Sequence, residues 1–341
     1  MLCARYVPPM ILAASLACST GSLDGGTFST TSTYSTGNTQ GTTTFGNENG
    51  TGSDAETSSD DSSDPCAGAS PCEDATGDIP ITGGVPSSIV PSTEIDLTTW
   101  AAVGTDGVTM MGTDASEGLE GTELGDTLDG LGGNDGLLGF QGDDLLRGGT
   151  NNDMINGAEG NDRIEGGTGL DVCEGFDGLD LIYGGPGDDQ IYGGGEADVL
   201  FGEAQVDEIH GETGDDRLFG GDDGDWLFGE AGNDTLWGDM GDDVLSGDEG
   251  LDVLIGGPGA DTLGGGVEDD VYIWRVGDGD DVIDDDDDGN DVLWIGGYGP
   301  ADLTALRAGG DYLLLMPEGS VRIVGYYSGG NQIEAIQTEL P

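Results

Sequence analysis

The sequence contains no lysine, one histidine and only seven basic residues, all of them arginine, in 341 positions. Against these stand 69 acidic residues, for a net charge of −62. That imbalance excludes nucleic acid as a partner, because phosphate would be repelled. With His210 as the single histidine, neither an H-E-x-x-H zinc site nor any other multi-histidine metal site can form. No G-x-S-x-G elbow and no phosphate-binding loop occurs. No stretch approaches the ~18 consecutive apolar residues of a transmembrane helix. Aromatics make up 6% and hydrophobic residues 35%, below the globular average. A chain this acidic normally reads as disordered, unless bound cations neutralise it.

The first 17 residues read as a signal peptide. Arg5 supplies a positive charge, and Tyr6 to Ala17 form a short apolar run interrupted by Pro8-Pro9. The run ends "SLAC", Ser15 to Cys18, which resembles a bacterial lipobox. The resemblance implies lipidation of Cys18, although Leu16 lies two rather than three places before the cysteine. An ordinary signal peptide with a nearby cleavage site is the alternative. Residues 18–65 are Ser, Thr, Gly, Asn and Asp with almost nothing apolar to bury, which predicts a disordered tether. Cys66 and Cys72, in "PCAGASPC", are expected to close a small disulfide loop in an exported chain. Residues 66–111 are read as that loop plus an N-terminal cap, from the strand-like "TEIDLTTWAAVGTDGVTMM".

From Gly112 to Ile273 a nine-residue period runs without insertion, giving eighteen repeats such as "GGPGDDQIY" and "GEAGNDTLW". Position 1 is Gly in all eighteen, position 6 is Asp in seventeen, and position 8 is Leu or Ile in sixteen. No linker would hold three phases so long, so the segment is a solenoid. The pattern G-G-x-G-x-D-x-U-x, with U large and apolar, resembles the calcium-binding nonapeptide repeat of RTX proteins. The resemblance covers residues 112–284 and implies a calcium-binding parallel β-roll. "VYIWRVGDGDDVIDDDD" resembles the exit of such arrays, and residues 285–341 resemble the β-rich segment that caps them.

The residues support the same all-β architecture independently. The glycine-rich hexad cannot be helical and suits a tight turn, while x-U-x makes a three-residue strand. Two repeats then close an eighteen-residue coil. Leu119, Leu137 and Ile155 face Leu128, Leu146 and Ile164 inside, and Cys173 takes a U position as a buried, inert thiol. The aspartates fall into two columns, one per edge, with neighbours ~4.8 Å apart. Like charges that close repel, and a hard divalent cation between turns removes the conflict. Calcium takes six to eight oxygens at roughly 2.3–2.6 Å; magnesium keeps its waters and fits worse. The expected ligands are Asp135, Asp153, Asp171, Asp189, Asp225, Asp243 and Asp261 on one edge. On the other they are Asp126, Asp144, Asp162, Asp180, Asp198, Asp216, Asp234, Asp252 and Asp270. Backbone carbonyls come from the turn glycines Gly133, Gly142, Gly160, Gly169, Gly178, Gly187, Gly214, Gly232, Gly241, Gly250 and Gly259. Glu196 and Gln205-Val206 break the turn pattern, so weak or empty sites are expected from Glu196 to Asp207. The run Asp284 to Asp288 fits either irregular cation binding or a solvated charge run.

Two functional readings remain. In the first, the protein is a non-enzymatic, extracellular calcium-binding protein, a surface lipoprotein or a secreted chain, with a structural or adhesive role. Its partners are calcium ions, the membrane only through a lipid anchor, and an unidentified surface or matrix partner. In the second, it is a haemolysin-like toxin or a hydrolase-related RTX protein. The second needs a catalytic or membrane-active domain, and residues 66–111 are too few for one.

Overall fold

A computed structural model describes residues 73–74, 81–83, 104, 107–285, 289–328 and 333–338. The signal peptide, the tether, Cys18, Cys66 and Cys72 lie outside the described residues. The chain divides into Met1–Ser62 and Ser63–Pro341, and every described residue belongs to the second unit.

The repeats wind into an all-β parallel solenoid. Odd-numbered coil halves from Gly118–Glu120 onward stack into one sheet and even-numbered halves from Thr109–Met111 onward into a second. Successive strands in a sheet are eighteen residues apart: Cys173 pairs with Ile155 on one side and Ile191 on the other. The position-8 residues point inward from both sheets, and from Leu128 to Leu254 none is more than 2% exposed. Cys173 lies in this ladder, fully buried. Burial, and then the acidic groups around it, push its thiol well above the usual range.

Most strands are six residues long rather than the three expected from x-U-x, for example Gly136–Gln141 and Val172–Asp177. The strand takes in positions 1 to 3 of the following repeat. It bends there: the ladder skips Gly175, and Phe176 sits at φ 80°. From Leu131 to Gly266, position 2 has positive φ whether or not it is glycine, as Leu131 at 70° and Glu230 at 72° also show. The turn is therefore built by the coil's stacking hydrogen bonds, strong enough to hold side chains in the left-handed region.

Both sheets continue past residue 284 into the C-terminal segment. Asp280–Ile283 and then Gly319–Ile323 extend one sheet; Asp291–Ile295 and Ile333–Thr338 extend the other. Thr304–Ala308, Asp311–Met316 and Gly319–Ile323 form an antiparallel meander. Tyr312, Leu314 and Ile323 of the meander and Ile336 of the other sheet are buried in one core, contiguous with the roll's ladder through Tyr272 and Trp274. Of the candidate strands "DVLWI", "DYLLLM", "SVRIVGYY" and "NQIEAIQ", the first two are strands throughout, the third is strand only as far as Ile323 and gives way to a short 3-10 helix at Tyr326–Ser328, and the fourth is strand from Ile333.

The described segments of residues 66–111 pair at both ends of the roll. Glu73–Asp74 pairs antiparallel with Thr304–Ala308, and Ile81–Gly83 pairs parallel with Ile333–Thr338. Both therefore lie at the C-terminal end of the roll. Among the described residues of this stretch, Thr109–Met111 forms a rung at the N-terminal end, against Thr127–Asp129. Short local patterns identify a strand but carry no information about which sheet edge is left open for it.

Candidate metal centre

The position-6 aspartates form two files, one along each edge of the roll. None from Asp126 to Asp270 is more than 3% exposed. Within a file the residues are linked by one repeated contact. The backbone N–H of each aspartate donates to Oδ1 of the aspartate eighteen residues later, as in Asp135 to Asp153 at 2.8 Å and Asp162 to Asp180 at 2.7 Å. Oδ1 thus closes the turn before it, which is the structural role a turn aspartate normally has.

Oδ2 has no such role. In all sixteen aspartates from Asp135 to Asp270 this oxygen is buried and accepts no hydrogen bond from the described residues. Leaving one buried acceptor unmatched costs roughly 1–3 kcal/mol, and more when it is charged. The sixteen lie in register and form a set whose atoms are all carboxylate oxygens. Hard divalent cations bind such donors.

The invariant glycine at position 1 makes room for this oxygen. A Cβ on Gly139 would stand 2.1 Å from Asp144 Oδ2 and 2.7 Å from the Gly157 carbonyl. Its role is close approach rather than positive φ, which the repeat spends at positions 2 and 4. At position 4, Gly160 has φ 147°, and a Cβ there would lie 2.0 Å from the Gly142 carbonyl of the turn below. The eleven turn glycines named above occupy this position. Where another residue replaces glycine, the backbone settles at lower positive φ: Asn151 74°, Glu196 72°, Gln205 80°, Asp223 78°.

The electrostatics match a file of anions without counter-ions. Burial raises Asp144 to about 7, Asp162 to about 8 and Asp198 to about 9; the backbone hydrogen bond to Oδ1 works the other way, and neighbouring acids add to the rise. Two unit charges ~5 Å apart repel by roughly 3 kcal/mol at an effective dielectric of 20. The conflict recurs at every turn.

Asp207, which the sequence places in its column but in a stretch expected to bind weakly, keeps its place in the file. It is fully buried, takes the Asp189 N–H on Oδ1 at 2.8 Å, and is raised to about 8, first by burial. Gln205 alters the turn's backbone but not the carboxylate's place. The files also run on beyond the strict period. Asp261 N–H donates to Asp281 Oδ1 at 3.1 Å and Asp270 N–H to Asp291 Oδ1 at 2.8 Å, with spacings of 20 and 21 residues. The local phrases "GDDVI" and "GNDVLW" carry the second half of the repeat; a search tied to a nine-residue register passes over them. Asp285, from the acidic run, joins Asp270 and Asp291 in a buried group whose carboxylate oxygens lie within 4.8 Å of one another. Tyr272 accepts from Gly265 N at 2.6 Å and donates its hydroxyl to Asp285. Asp286 to Asp288 lie outside the described residues.

The carboxylates that His210 contacts are not members of the two files. Its ring stacks between Tyr192 and Phe228, with Nδ1 2.9 Å from Glu230 and Nε2 3.3 Å from Glu208. Burial opposes its protonation, but these hydrogen bonds outweigh it and raise its pKa.

A parallel β-roll with eighteen residues per coil and a file of buried carboxylates along each edge defines a class of cation-binding solenoid. Residues 120–155, 138–173, 174–209, 204–236 and 237–272 match the family described as RTX calcium-binding nonapeptide repeat (4 copies). Residues 120–272 of this chain are RTX calcium-binding nonapeptide repeats. No curated protein matches the chain. Among solved structures, it is similar to the extracellular lipase LipA from Serratia marcescens, at 15% identity and a TM-score of 0.27. That match covers 60% of this chain and 40% of the lipase, so the chain spans less than half of that protein.

Proposed function

We propose that this protein is a non-enzymatic, calcium-dependent structural element that works outside the cell. The observation that carries the reading is the run of sixteen buried Oδ2 atoms without a hydrogen-bond partner. Calcium would be held by the position-6 carboxylates of successive turns, Asp126 to Asp270 with Asp207 included, together with turn carbonyls such as those of Gly142 and Gly160. It supplies positive charge between like-charged turns. The chain's own residues set the turn, clear a path to Oδ2 through the position-1 glycine, and stack the coils. Extracellular calcium sites have dissociation constants of roughly 10⁻⁴–10⁻³ M, so the roll would form in a millimolar-calcium exterior and stay open inside the cell.

The acidic surface and the engaged position of His210 support a structural or adhesive role over a hydrolytic one. The leader and Cys18 fit a lipid-anchored roll at a bacterial surface, with residues 19–65 as its tether. Equilibrium dialysis with metal analysis tests the proposal. We expect around ten or more calcium ions per chain in millimolar calcium, not displaced by equal magnesium. Binding of only one or two ions, or calcium-dependent lysis or hydrolysis by the loaded protein, would overturn it.

A further inference from the structure

The coil that joins the last repeat to the cap is not a copy of the others. Asp270 donates its N–H to an aspartate 21 residues later, where the array uses a step of 18. The start of this coil still follows the roll. Leu263 pairs with Ile283, and the Asp284 N–H donates to the Leu263 carbonyl at 2.9 Å. Gly265 lies two residues beyond Leu263, and Asp285 two beyond Ile283, so Asp285 stands at position 1 of its turn. Glycine holds that position in all eighteen repeats. A place that the array keeps clear of any side chain is here given to a carboxylate.

The turn below is built to meet it. Gly265 clears the approach to Asp270 Oδ2, since a Cβ there would stand 2.1 Å from that oxygen. Asp270 is 1% exposed, its Oδ1 takes the Asp252 N–H at 2.8 Å, and its buried Oδ2 accepts no hydrogen bond from the described residues. Tyr272 stands at position 8, where sixteen of the eighteen repeats carry Leu or Ile. Its hydroxyl accepts from the Gly265 N–H at 2.6 Å and donates to Asp285. An aliphatic side chain could do neither. From inside the core, Tyr272 therefore ties the Gly265 turn to the carboxylate stacked on it. One oxygen each of Asp270, Asp285 and Asp291 falls within 4.8 Å of the other two, and none of the three residues is more than 3% exposed. Among the described residues this is the one group of three acidic side chains so arranged.

We infer that Asp270, Asp285 and Asp291 form a separate calcium site at the junction of roll and cap, tighter than the array sites, with Tyr272 as the positioning residue for Asp285. The inference rests on the reading of the files as calcium ligands and adds a site of different composition. Two successive turns of a file offer two carboxylates, whereas this junction offers three. Calcium affinity rises with the charge of the ligand set and with its rigidity, and the Tyr272 hydroxyl supplies the second of these.

The test loads the full-length chain with calcium, mixes it with an excess of a chromophoric chelator and follows release. We expect one ion per chain to leave about tenfold or more slowly than the rest. Asp285→Asn keeps an acceptor for the Tyr272 hydroxyl but removes the charge, and should move that ion into the fast phase. Asp284→Asn removes the same charge from the exposed neighbour and should leave the slow ion in place. Tyr272→Phe keeps the ring, loses the hydroxyl and should speed the slow phase about tenfold. Circular dichroism in saturating calcium checks that each variant winds. Should Asp285→Asn fail to wind, Asp285→Gly restores the repeat's own residue at position 1 and carries the same expectation. A slow ion that survives loss of the Asp285 charge, or that Asp284→Asn removes equally, would overturn the inference, as would many ions leaving in a single phase. An unchanged slow phase in Tyr272→Phe would overturn the positioning role. A chain that binds no calcium at all would instead overturn the function proposed above.

Discussion

The backbone N–H of Asp162 donates to Oδ1 of Asp180, one coil above it, while Oδ2 of Asp180 is buried and unmatched. One carboxylate thus serves two purposes. One oxygen belongs to the turn, and in the function proposed above the other is the one that would bind calcium.

Substitutions at Asp180 should separate the two oxygens. Asp180→Asn keeps an acceptor for the Asp162 N–H and removes a charge; it should raise the calcium midpoint about two- to fivefold while leaving the loaded fold intact. Asp180→Ala also strands the Asp162 N–H and should lose a further ~1–3 kcal/mol in calcium-saturated melting. Equal effects of the two changes would mean that Oδ1 contributes nothing.

The raised carboxyl pKa values give a pH dependence with a definite sign. The unfolded aspartate pKa is 3.8, while Asp144, Asp162 and Asp198 are raised to about 7, 8 and 9, chiefly by burial. The wound state therefore binds more protons than the unwound chain between pH 4 and 9. In calcium-free buffer its stability is greatest below the unfolded value and is lost as pH rises through 7 to 9. Circular dichroism in calcium-stripped buffer should show more strand at pH 5 than at pH 8. With calcium present, protons compete for the same oxygens, and the calcium midpoint should rise as pH falls from 8 to 5.

Two glycines of one repeat pair provide a steric contrast. Gly139→Ala places a Cβ against Asp144 Oδ2 and the Gly157 carbonyl, whereas a Cβ on Gly136 meets nothing within 4 Å. Gly139→Ala should cost about 2 kcal/mol or more in saturating calcium, and Gly136→Ala should stay within about 0.5 kcal/mol. Thermal melts of the two variants check this.

Truncation after Asp284 should raise the calcium concentration needed for winding, or leave the array aggregating. It removes Asp291, which accepts from Asp270, and the strands that cover the last rung. An open solenoid end exposes unpaired strand edges. Folding at an unchanged calcium midpoint as a monomer would show that these strands do not act as a cap.

The roll was legible because its information is periodic. Glycine at position 1, aspartate at position 6 and an apolar residue at position 8 fix turn, file and core together, and the strands at 118–273 follow. What escaped was information that is not periodic. Asp281, Asp285 and Asp291 join the carboxylate groups after the register shifts, and spacing alone cannot place them. Asp207 keeps its position because stacking on Asp189 and Asp225 overrides the local effect of Gln205. Glu73–Asp74 and Ile81–Gly83 sit beside the C-terminal strands because free sheet edges exist there, a property of the assembled fold. Strand length was underestimated because positions 1 to 3 pair between coils even where glycine disfavours a strand.

The most direct measurement of the central claim is far-UV circular dichroism of the full-length protein at pH 7.5, first in chelator and then through a calcium titration to 10 mM. Repulsion along two files of carboxylates predicts a largely unwound chain in chelator. Calcium should bring a cooperative gain of strand signal with a midpoint of roughly 10⁻⁴–10⁻³ M, which equal magnesium does not reproduce. Full strand content in chelator, unchanged by calcium, would contradict the account.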